Sequence, residues 1–523
     1  MSMYLTLAIH KGLREKPGSV AITCGDQTRT YGQLADRVAR LAGALQKLGL
    51  QPEGRVGMLS INSIPYVEFF YGTWWAGGVI NPCNIRWSPQ EVAYSLDDCD
   101  TQILLVDDMF APMVPKLREL STSLKTVIHC GSGPTPDGML AYEDLVAQAQ
   151  PVEDAYRKGD DLAAIMYTGG TTGKPKGVML SHLNLGISGL STSTMAPREA
   201  RNGDSIGIIA PPMFHVAACG VTILVMAKLL PIVVIPYFDE VMLMTAIQKH
   251  GANDMFLVPT MIKRLIEHPR FAEFDLSSLT LVSYGASPMD ATLLEQAMQA
   301  FPNARFSQAY GMTELSPTIT VLPPQDHLPG ADPTRMLRSA GRTAPIAEVR
   351  IVDGDDNEVP TGTVGEICAR GPMVMQGYWN KPKETADALR GGWMHTGDMG
   401  YMDEAGYLFV VDRLKDMIVT GGENVYSAEV ENAIAQLPQV FMSAVIGVPD
   451  EKWGERVHAV IQLREGAELT EAEVIAHCKG LIAGYKCPRS VAFQDTLPMS
   501  AAGKLQKFQL RAPHWEGRSR NVS

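Results

Sequence analysis

Tyr167-Thr168-Gly169-Gly170-Thr171-Thr172-Gly173-Lys174-Pro175-Lys176-Gly177 interleaves glycine, threonine and lysine as a loop that grips a polyphosphate must. Glycines let backbone N–H groups turn toward an anion, threonine hydroxyls add donors, and a lysine supplies a point charge. Taken alone, such a run also reads as a surface turn. It is not a Walker A loop, because that pattern places Lys and then Ser/Thr directly after its last glycine, and here Pro175 stands where the hydroxyl belongs. The flanks differ too. Residues 163–167 read as a buried strand, residues 178–180 as a second short strand, and Ser181 as the cap of a helix. A loop between two strands lacks the helix N-terminus on which a Walker A phosphate rests, so kinase-like and GTPase-like readings fall away.

Working outward, short β-rich runs alternate with helical patterns through the first three hundred residues: a strand at 55–59, a helix at 66–75, a strand at 102–106. Further strands are expected at 205–209, 255–258 and 279–283, which favours parallel α/β layers. Ser88, Pro89 and Glu91 announce a capped helix start. After Pro323-Pro324 the texture changes to strands and turns, at 348–353 and 365–370, as in a small β subdomain. From about Asp412 an α+β pattern returns, with helices at 427–435 and 471–482 and strands at 444–448 and 457–463. The final 110 or so residues are expected to form a separate lobe.

At 523 residues, and at about 150 residues per domain, the chain should hold three or four structural units. A net charge of −12 argues against a nucleic-acid-binding surface. The eight cysteines are scattered without CxxC or zinc spacing, which reads as free thiols in a reducing compartment. No secretory signal opens the chain, so a cytoplasmic location is expected. Residues 216–235 are long and apolar enough to invite a transmembrane reading, but Lys228 and Pro231 interrupt them. A buried helix ending near Leu230, followed by a strand at 232–235, accounts for the same residues.

Downstream lie Tyr310-Gly311-Met312-Thr313-Glu314, His395-Thr396-Gly397-Asp398, Asp412-Arg413-Leu414-Lys415-Asp416 and Pro498-Met499-Ser500-Ala501-Ala502-Gly503-Lys504. Together with the opening loop, and in this order, these resemble the adenylate-forming superfamily, and within it the AMP-forming acyl-CoA synthetases close to fatty-acyl-CoA and 4-coumarate-CoA ligases. The resemblance runs through nearly the whole chain. It implies an α/β multidomain fold: a large N-terminal domain (1–411) of two α/β layered subdomains plus a small β subdomain, a hinge (412–416), and a mobile α+β C-terminal domain (417–523). It also implies two half-reactions. A carboxylate attacks the α-phosphate of ATP to give acyl-AMP and pyrophosphate, and a thiol then displaces AMP. Bringing two anions together calls for positive charge and fixed orientation.

Carried over onto this sequence, Thr168, Gly169, Gly170, Thr171, Thr172, Gly173 and Lys176 would hold the β- and γ-phosphates, and Glu314 would bind Mg2+, for which a carboxylate is a suitable hard ligand. Tyr310, with Gly311 and Met312 beside it, would stack on adenine, Thr313 would contact the α-phosphate, and Gly285 and Ala286 would line the base. Asp398 would accept from the ribose hydroxyls with Arg413 in support. Lys504 would bridge the attacking carboxylate and the α-phosphate. Ala501 and Ala502 stand where relatives often carry a hydroxyl, which puts a secondary contact in doubt but leaves the lysine. Lys415 falls at the hinge, about which Gly421, Gly422 and Glu423 would swing in to line a coenzyme A tunnel.

The acyl pocket would be built around His215, Val216, Ala217, Gly285 and Ala309, with Phe214, Ala218, Cys219 and Ala286 nearby and Glu314 as its one charge. An apolar pocket suits a fatty or aryl monocarboxylic acid and leaves a second carboxylate unpaired, which disfavours dicarboxylates. His215 would gate the pocket toward the thiol. Asp239 reads as a helix N-cap rather than an ammonium ligand. The chain is thus expected to use a small carboxylic acid, ATP, Mg2+ and coenzyme A, with no nucleic-acid partner and no transmembrane segment, and a homodimer is compatible with it. Two alternatives stay open: an acyl-AMP ligase loading a carrier protein, and a non-catalytic nucleotide- or acyl-binding protein on the same fold. Pro498, Gly503 and Lys504 match a pattern that is acetylated in bacterial relatives, which would make Lys504 a target of a lysine acetyltransferase and deacetylase.

Overall fold

The computed structural model describes residues 3–168, 174–196, 205–287, 289–328, 339–500 and 504–516. Two large sheets carry most of the chain before residue 345. The first runs, edge to edge, through Arg342–Thr343, Thr320–Leu322, Arg305–Tyr310, Leu281–Gly285, Asp254–Leu257, Gly207–Ile209, Ile232–Val234, Val20–Cys24 and Gln27–Thr30. The second runs through Gly377–Tyr378, Lys176–Ser181, Leu162–Thr168, Val79–Pro82, Arg55–Leu59, Thr101–Val106, Thr126–His129 and Leu140–Ala141. The central strands of both are parallel. They read as continuous apolar runs because helices cover both faces.

The helix Ile64–Trp75 shows why the two layers share one core. Nearly every residue in it is buried, and Ser63 accepts from the Tyr66 N–H at its start. Its Glu68 carries a charge into that core, where Arg37 Nε (2.6 Å), Arg37 Nη2 (3.0 Å) and the Tyr142 hydroxyl (2.6 Å) all donate to it. A buried carboxylate persists only when paired in this way. Local signals act where they were expected: the Ser88–Glu91 capping box opens the helix Pro89–Asp98, and Asp239 caps Glu240–His250 by accepting from Met242 N at 2.8 Å. The apolar stretch at 216–235 divides into the helix Val216–Ala227 and the strand Ile232–Val234. No helix among the described residues is long and apolar enough to cross a membrane.

A four-stranded antiparallel sheet follows, ordered Glu348–Val352, Gly365–Arg370, Met394–Met402, Leu408–Arg413. Beyond it, the strands Ile418–Thr420, Glu423–Val425, Val440–Asp450, Gly454–Leu463 and Ser490–Phe493 pack with the helices Ser427–Ile434 and Glu471–Leu481 around a separate apolar cluster. This C-terminal body touches the helix Pro259–Ile266 and the turn after it: Lys263 Nζ donates to the Phe441 carbonyl and lies over its ring, and Arg464 Nη2 meets Glu267 Oε1 at 3.0 Å.

Candidate active site

The opening loop closes an antiparallel hairpin. Thr168 and Lys176 face each other as the last pair between Leu162–Thr168 and Lys176–Ser181, and Ser181 caps the next helix through a box with Asn184. No helix N-terminus follows the loop directly, as its mismatch to Walker A implied. Gly169, Gly170, Thr171, Thr172 and Gly173 lie outside the described residues. The Lys176 ammonium sits 4.8 Å from the centre of the Tyr378 ring, and the Tyr378 hydroxyl donates to Glu314 Oε1 at 2.8 Å. Sequence reasoning missed Tyr378; a Gly-Tyr pair on a two-residue strand carries no motif.

Tyr310 ends the strand Arg305–Tyr310, and the turn Thr313–Leu315 presents Glu314. Gly311 between them admits no side chain, since a Cβ there would stand 2.0 Å from the Pro317 carbonyl oxygen. Gly285 is pinned likewise, with a Cβ position 2.3 Å from the Ala309 carbonyl oxygen, so the ends of two parallel strands come together beside the cavity. Ligand sites in open α/β sheets form at such strand ends.

Asp398 lies on Met394–Met402, directly across from Arg413 on Leu408–Arg413. Tyr310 Oη donates to its Oδ2 at 2.8 Å, and Arg413 Nε meets its Oδ1 at 3.3 Å. Glu366 sets this segment, accepting from Gly397 N at 3.0 Å and bonding His395 Nδ1 at 2.9 Å. Burial raises the Glu314 carboxyl above its ordinary range, while Tyr378, Arg413 and Lys504 pull the other way.

Lys504 enters from the C-terminal body. Its N–H donates to Ser500 Oγ at 3.0 Å, Ser500 N donates to the Lys504 carbonyl at 2.7 Å, and Gln506 N donates to the Pro498 carbonyl at 2.8 Å. Across the divide, Arg86 Nη1 donates to the Ser500 carbonyl at 3.3 Å, a contact between residues far apart in sequence that no motif signals. Burial and the Arg413 guanidinium lower the Lys504 ammonium from 10.5 to about 8, against the opposing pull of Asp398 and Glu314. Lys415, at the expected hinge, has its ammonium lowered by burial and by Lys176, and Arg511 Nη1 donates to its carbonyl at 3.1 Å.

Lys504 also lines a largely apolar cavity. His215, Val216, Ala217 and Ala309 line it, and so do Ala286, Gly311, Met312 and Thr313. Gly285 packs against Ala309 beside the lining, Phe214, Ala218 and Cys219 belong to the buried core, Glu314 is tied to Tyr378, and Lys504 is the charged side chain among the described lining residues. One whole wall went unread: Ser188, Gly189, Thr192, Ser193 and Ala196, from the helix His182–Met195 and its end. Its small-residue composition was the available signal. His215 caps the helix Val216–Ala227, is pushed down to about 3 by burial and by the charges of Lys504 and Arg86, and keeps a buried Nε2 without a hydrogen-bond partner. It is therefore a neutral imidazole at any working pH.

Gly421 and Gly422 form the left-handed turn (φ +61° and +84°) before Glu423, on an exposed hairpin, and Gly421 N donates to the Trp453 carbonyl at 2.8 Å. They are solvent-facing in this arrangement, with Lys504 in the cavity.

The AMP-binding enzyme family model matches residues 9–379, and the model of the AMP-binding enzyme C-terminal domain matches residues 429–504. The chain belongs to the AMP-binding enzyme family. A feruloyl-CoA synthase from Amycolatopsis sp is 37% identical over 95% of this chain and 96% of its own length. A medium/long-chain-fatty-acid–CoA ligase from Mycobacterium tuberculosis is 36% identical over 98% of this chain and 90% of its own. Among solved structures, an anthranilate CoA ligase in complex with anthranoyl-AMP superposes with a TM-score of 0.90 at 26% identity, covering 98% of this chain and 97% of that one. At family level this adenylate-forming protein is an ATP-dependent, AMP-forming acid–thiol ligase, and the α/β architecture expected from sequence is the one observed.

Proposed function

We propose that the enzyme activates a fatty or aryl monocarboxylic acid as acyl-AMP and transfers the acyl group to coenzyme A. The observation that carries this is Lys504: it lines the same apolar cavity as His215 while lying within electrostatic reach of Arg413, Asp398 and Glu314. A carboxylate at the mouth of that cavity would meet a cation beside the place where Asp398 and Arg413 would hold a ribose. Thr168, Lys176 and the loop between them hold the leaving pyrophosphate. Tyr310 stacks on the base, while Gly311, Met312, Thr313, Gly285 and Ala286 supply backbone and hydroxyl contacts around the nucleotide. Lys504 neutralises charge as carboxylate and α-phosphate approach, an interaction that strengthens toward the transition state.

Glu314 fits a magnesium ion. It is a buried carboxylate with one oxygen fixed by Tyr378, set among cations, and Mg2+ takes one or two protein carboxylates with phosphate and water completing its shell. When bound there, the ion would neutralise phosphate charge. The dicarboxylate reading fails on the same chemistry as before: the cavity wall past His215 presents no second cation to a distal carboxylate among its described residues.

Residues 1–411, 412–416 and 417–523 then act as N-terminal domain, hinge and mobile C-terminal domain. Rotation about Lys415 withdraws Lys504 and brings Gly421, Gly422 and Glu423 to the thiol tunnel, toward which His215 opens. Acetylation of Lys504, a homodimer and a cytoplasmic location belong to the same reading; full adenylation by a stoichiometrically acetylated sample would remove the first. The deciding experiment is acid-dependent pyrophosphate release with Mg-ATP across a broad acid panel, followed by thioester formation on adding coenzyme A or an acyl-carrier protein. Absence of pyrophosphate release with every acid overturns the ligase reading, and thioester on the carrier protein alone overturns coenzyme A as acceptor.

A further inference from the structure

Asp412 belongs to the body that precedes the hinge and reaches into the one that follows it. It is buried on the strand Leu408–Arg413, paired across the sheet with Met399. Its Oδ2 accepts from Ser427 N at 2.5 Å, and its Oδ1 accepts from Arg413 N at 2.7 Å. Ser427 opens the helix Ser427–Ile434 of the C-terminal body, and Tyr426 in front of it supplies no side-chain cap. A helix start leaves its first N–H groups without partners and carries partial positive charge, so a carboxylate placed there satisfies both. For this helix the carboxylate comes from across the hinge.

The contacts around Lys415 mark where the two bodies divide. Leu414 N donates to the Gly397 carbonyl at 2.9 Å, which ties it to the sheet that carries Asp398. Arg511 Nη1 donates to the Lys415 carbonyl at 3.1 Å and to Asp416 Oδ1 at 2.8 Å, which ties both to the C-terminal body. Rotation at Lys415 therefore parts Asp412 from Ser427. It also breaks the bonds from Asp416 N and Met417 N to the Arg413 carbonyl, but those are backbone bonds that need no particular side chain. The seat of Asp412 lies near Lys504 in the chain. Lys507, three residues on, sets its Nζ 2.5 Å from Ser427 Oγ and 2.7 Å from Glu431 Oε1; burial opposes its charge, and Glu431, Asp412 and Asp416 outweigh burial.

We infer that Asp412 is a positioning residue that latches the C-terminal body in the adenylating arrangement by capping the helix Ser427–Ile434 from across the hinge, and that it lets go when the body turns for thioester formation. This rests on the ligase reading and on a hinge at Lys415, and adds the group that holds one arrangement against the other. An interaction made in only one of two arrangements shifts their balance by its own free energy, about tenfold or more for a hydrogen bond to a charged group.

Ser427→Pro tests the latch from its far side, because proline suits the first position of a helix and lacks the N–H that Asp412 receives. Ser427→Ala is its control, losing the hydroxyl but keeping the N–H. For the wild type, these two variants and Asp412→Ala, two rates are measured: single-turnover pyrophosphate release with Mg-ATP and an accepted acid, and thioester formation from supplied acyl-AMP and coenzyme A. Asp412→Ala and Ser427→Pro should each lower the ratio of the first rate to the second by about tenfold, and Ser427→Ala should leave it unchanged. The double variant Asp412→Ala/Ser427→Pro should fall no further than either single one. Retained thioester formation reports that the variants are folded. Parallel loss of both rates means that the contact only stabilises the fold, and overturns the inference. A changed ratio in Asp412→Ala with an unchanged one in Ser427→Pro means that Asp412 acts through Arg413, and overturns it too; both results leave the ligase reading intact. No pyrophosphate release by the wild type with any acid overturns the ligase reading and the inference with it.

Discussion

Lys504 sits where burial and Arg413 lower its ammonium from 10.5 to about 8, equivalent to about 3 kcal/mol at about 1.4 kcal/mol per pH unit. The direction matters for catalysis. The charged form is complete well below pH 8 and is lost as pH rises through it, so the free enzyme should lose adenylation competence on the alkaline side. Since kcat/KM reports free-enzyme ionisations, kcat/KM for ATP should fall with an apparent pKa near 8, reaching about a tenth of its plateau one pH unit higher. In the nucleotide complex the added negative charge favours the ammonium, so the corresponding limb of kcat should lie at higher pH. A guanidinium does not deprotonate in this range, so Lys504→Arg should abolish the limb whatever its plateau. Lys504→Ala should lower adenylation by about 10²- to 10³-fold, the scale of losing one charge-stabilising contact in a water-excluded site. It should spare thioester formation from supplied acyl-AMP. The assays are pyrophosphate release from pH 6.5 to 10 and single-turnover thioester formation. A wild-type kcat/KM that stays flat to pH 9.5, or equal loss of both half-reactions in Lys504→Ala, would refute the reasoning.

Tyr378→Phe removes the hydroxyl that holds Glu314 Oε1 and lowers its pKa, so half-saturation by Mg2+ should rise several-fold with little change in the KM for the acid; a magnesium titration of pyrophosphate release checks it. Glu267→Lys breaks the ion pair to Arg464 between the two bodies; adenylation should slow while thioester formation from acyl-AMP holds, and adding Arg464→Glu should recover about 0.2–1 kcal/mol in a double-mutant cycle, the range of a partly exposed pair. Arg37→Ala leaves the buried Glu68 carboxylate with only the Tyr142 hydroxyl and the Arg29 Nε at 3.7 Å; it should cost about 3 kcal/mol of stability, read as a lowered urea midpoint at unchanged slope.

Elements with strong local causes were legible one residue at a time. Ser88, Ser181 and Asp239 each offer a side-chain oxygen to a nearby backbone N–H, and each starts its helix as read. Continuous apolar runs gave the parallel strands within a residue or two. What stayed unreadable depends on contacts between distant positions. Tyr378 meets Glu314 across 64 residues, and Arg86 meets Ser500 across 414. Ser188, Thr192 and Ser193 look like an indifferent polar helix face until the fold sets that face in the wall of the cavity.

The linear sequence by itself determined the family: a Gly/Thr/Lys loop that is no Walker A, followed by the motifs that carry Glu314, Asp398, Arg413 and Lys504, in an order that marks an adenylate-forming ligase. Those are properties of residue types at short spacing, which need no third dimension. Only the tertiary structure decided that Lys504 is the charged side chain among the described residues lining the cavity, and that its ammonium is lowered to about 8. The reason is physical. Burial and the field of neighbouring charges set a group's ionisation and its need for a partner, and both arise only when segments hundreds of residues apart exclude water from the same space.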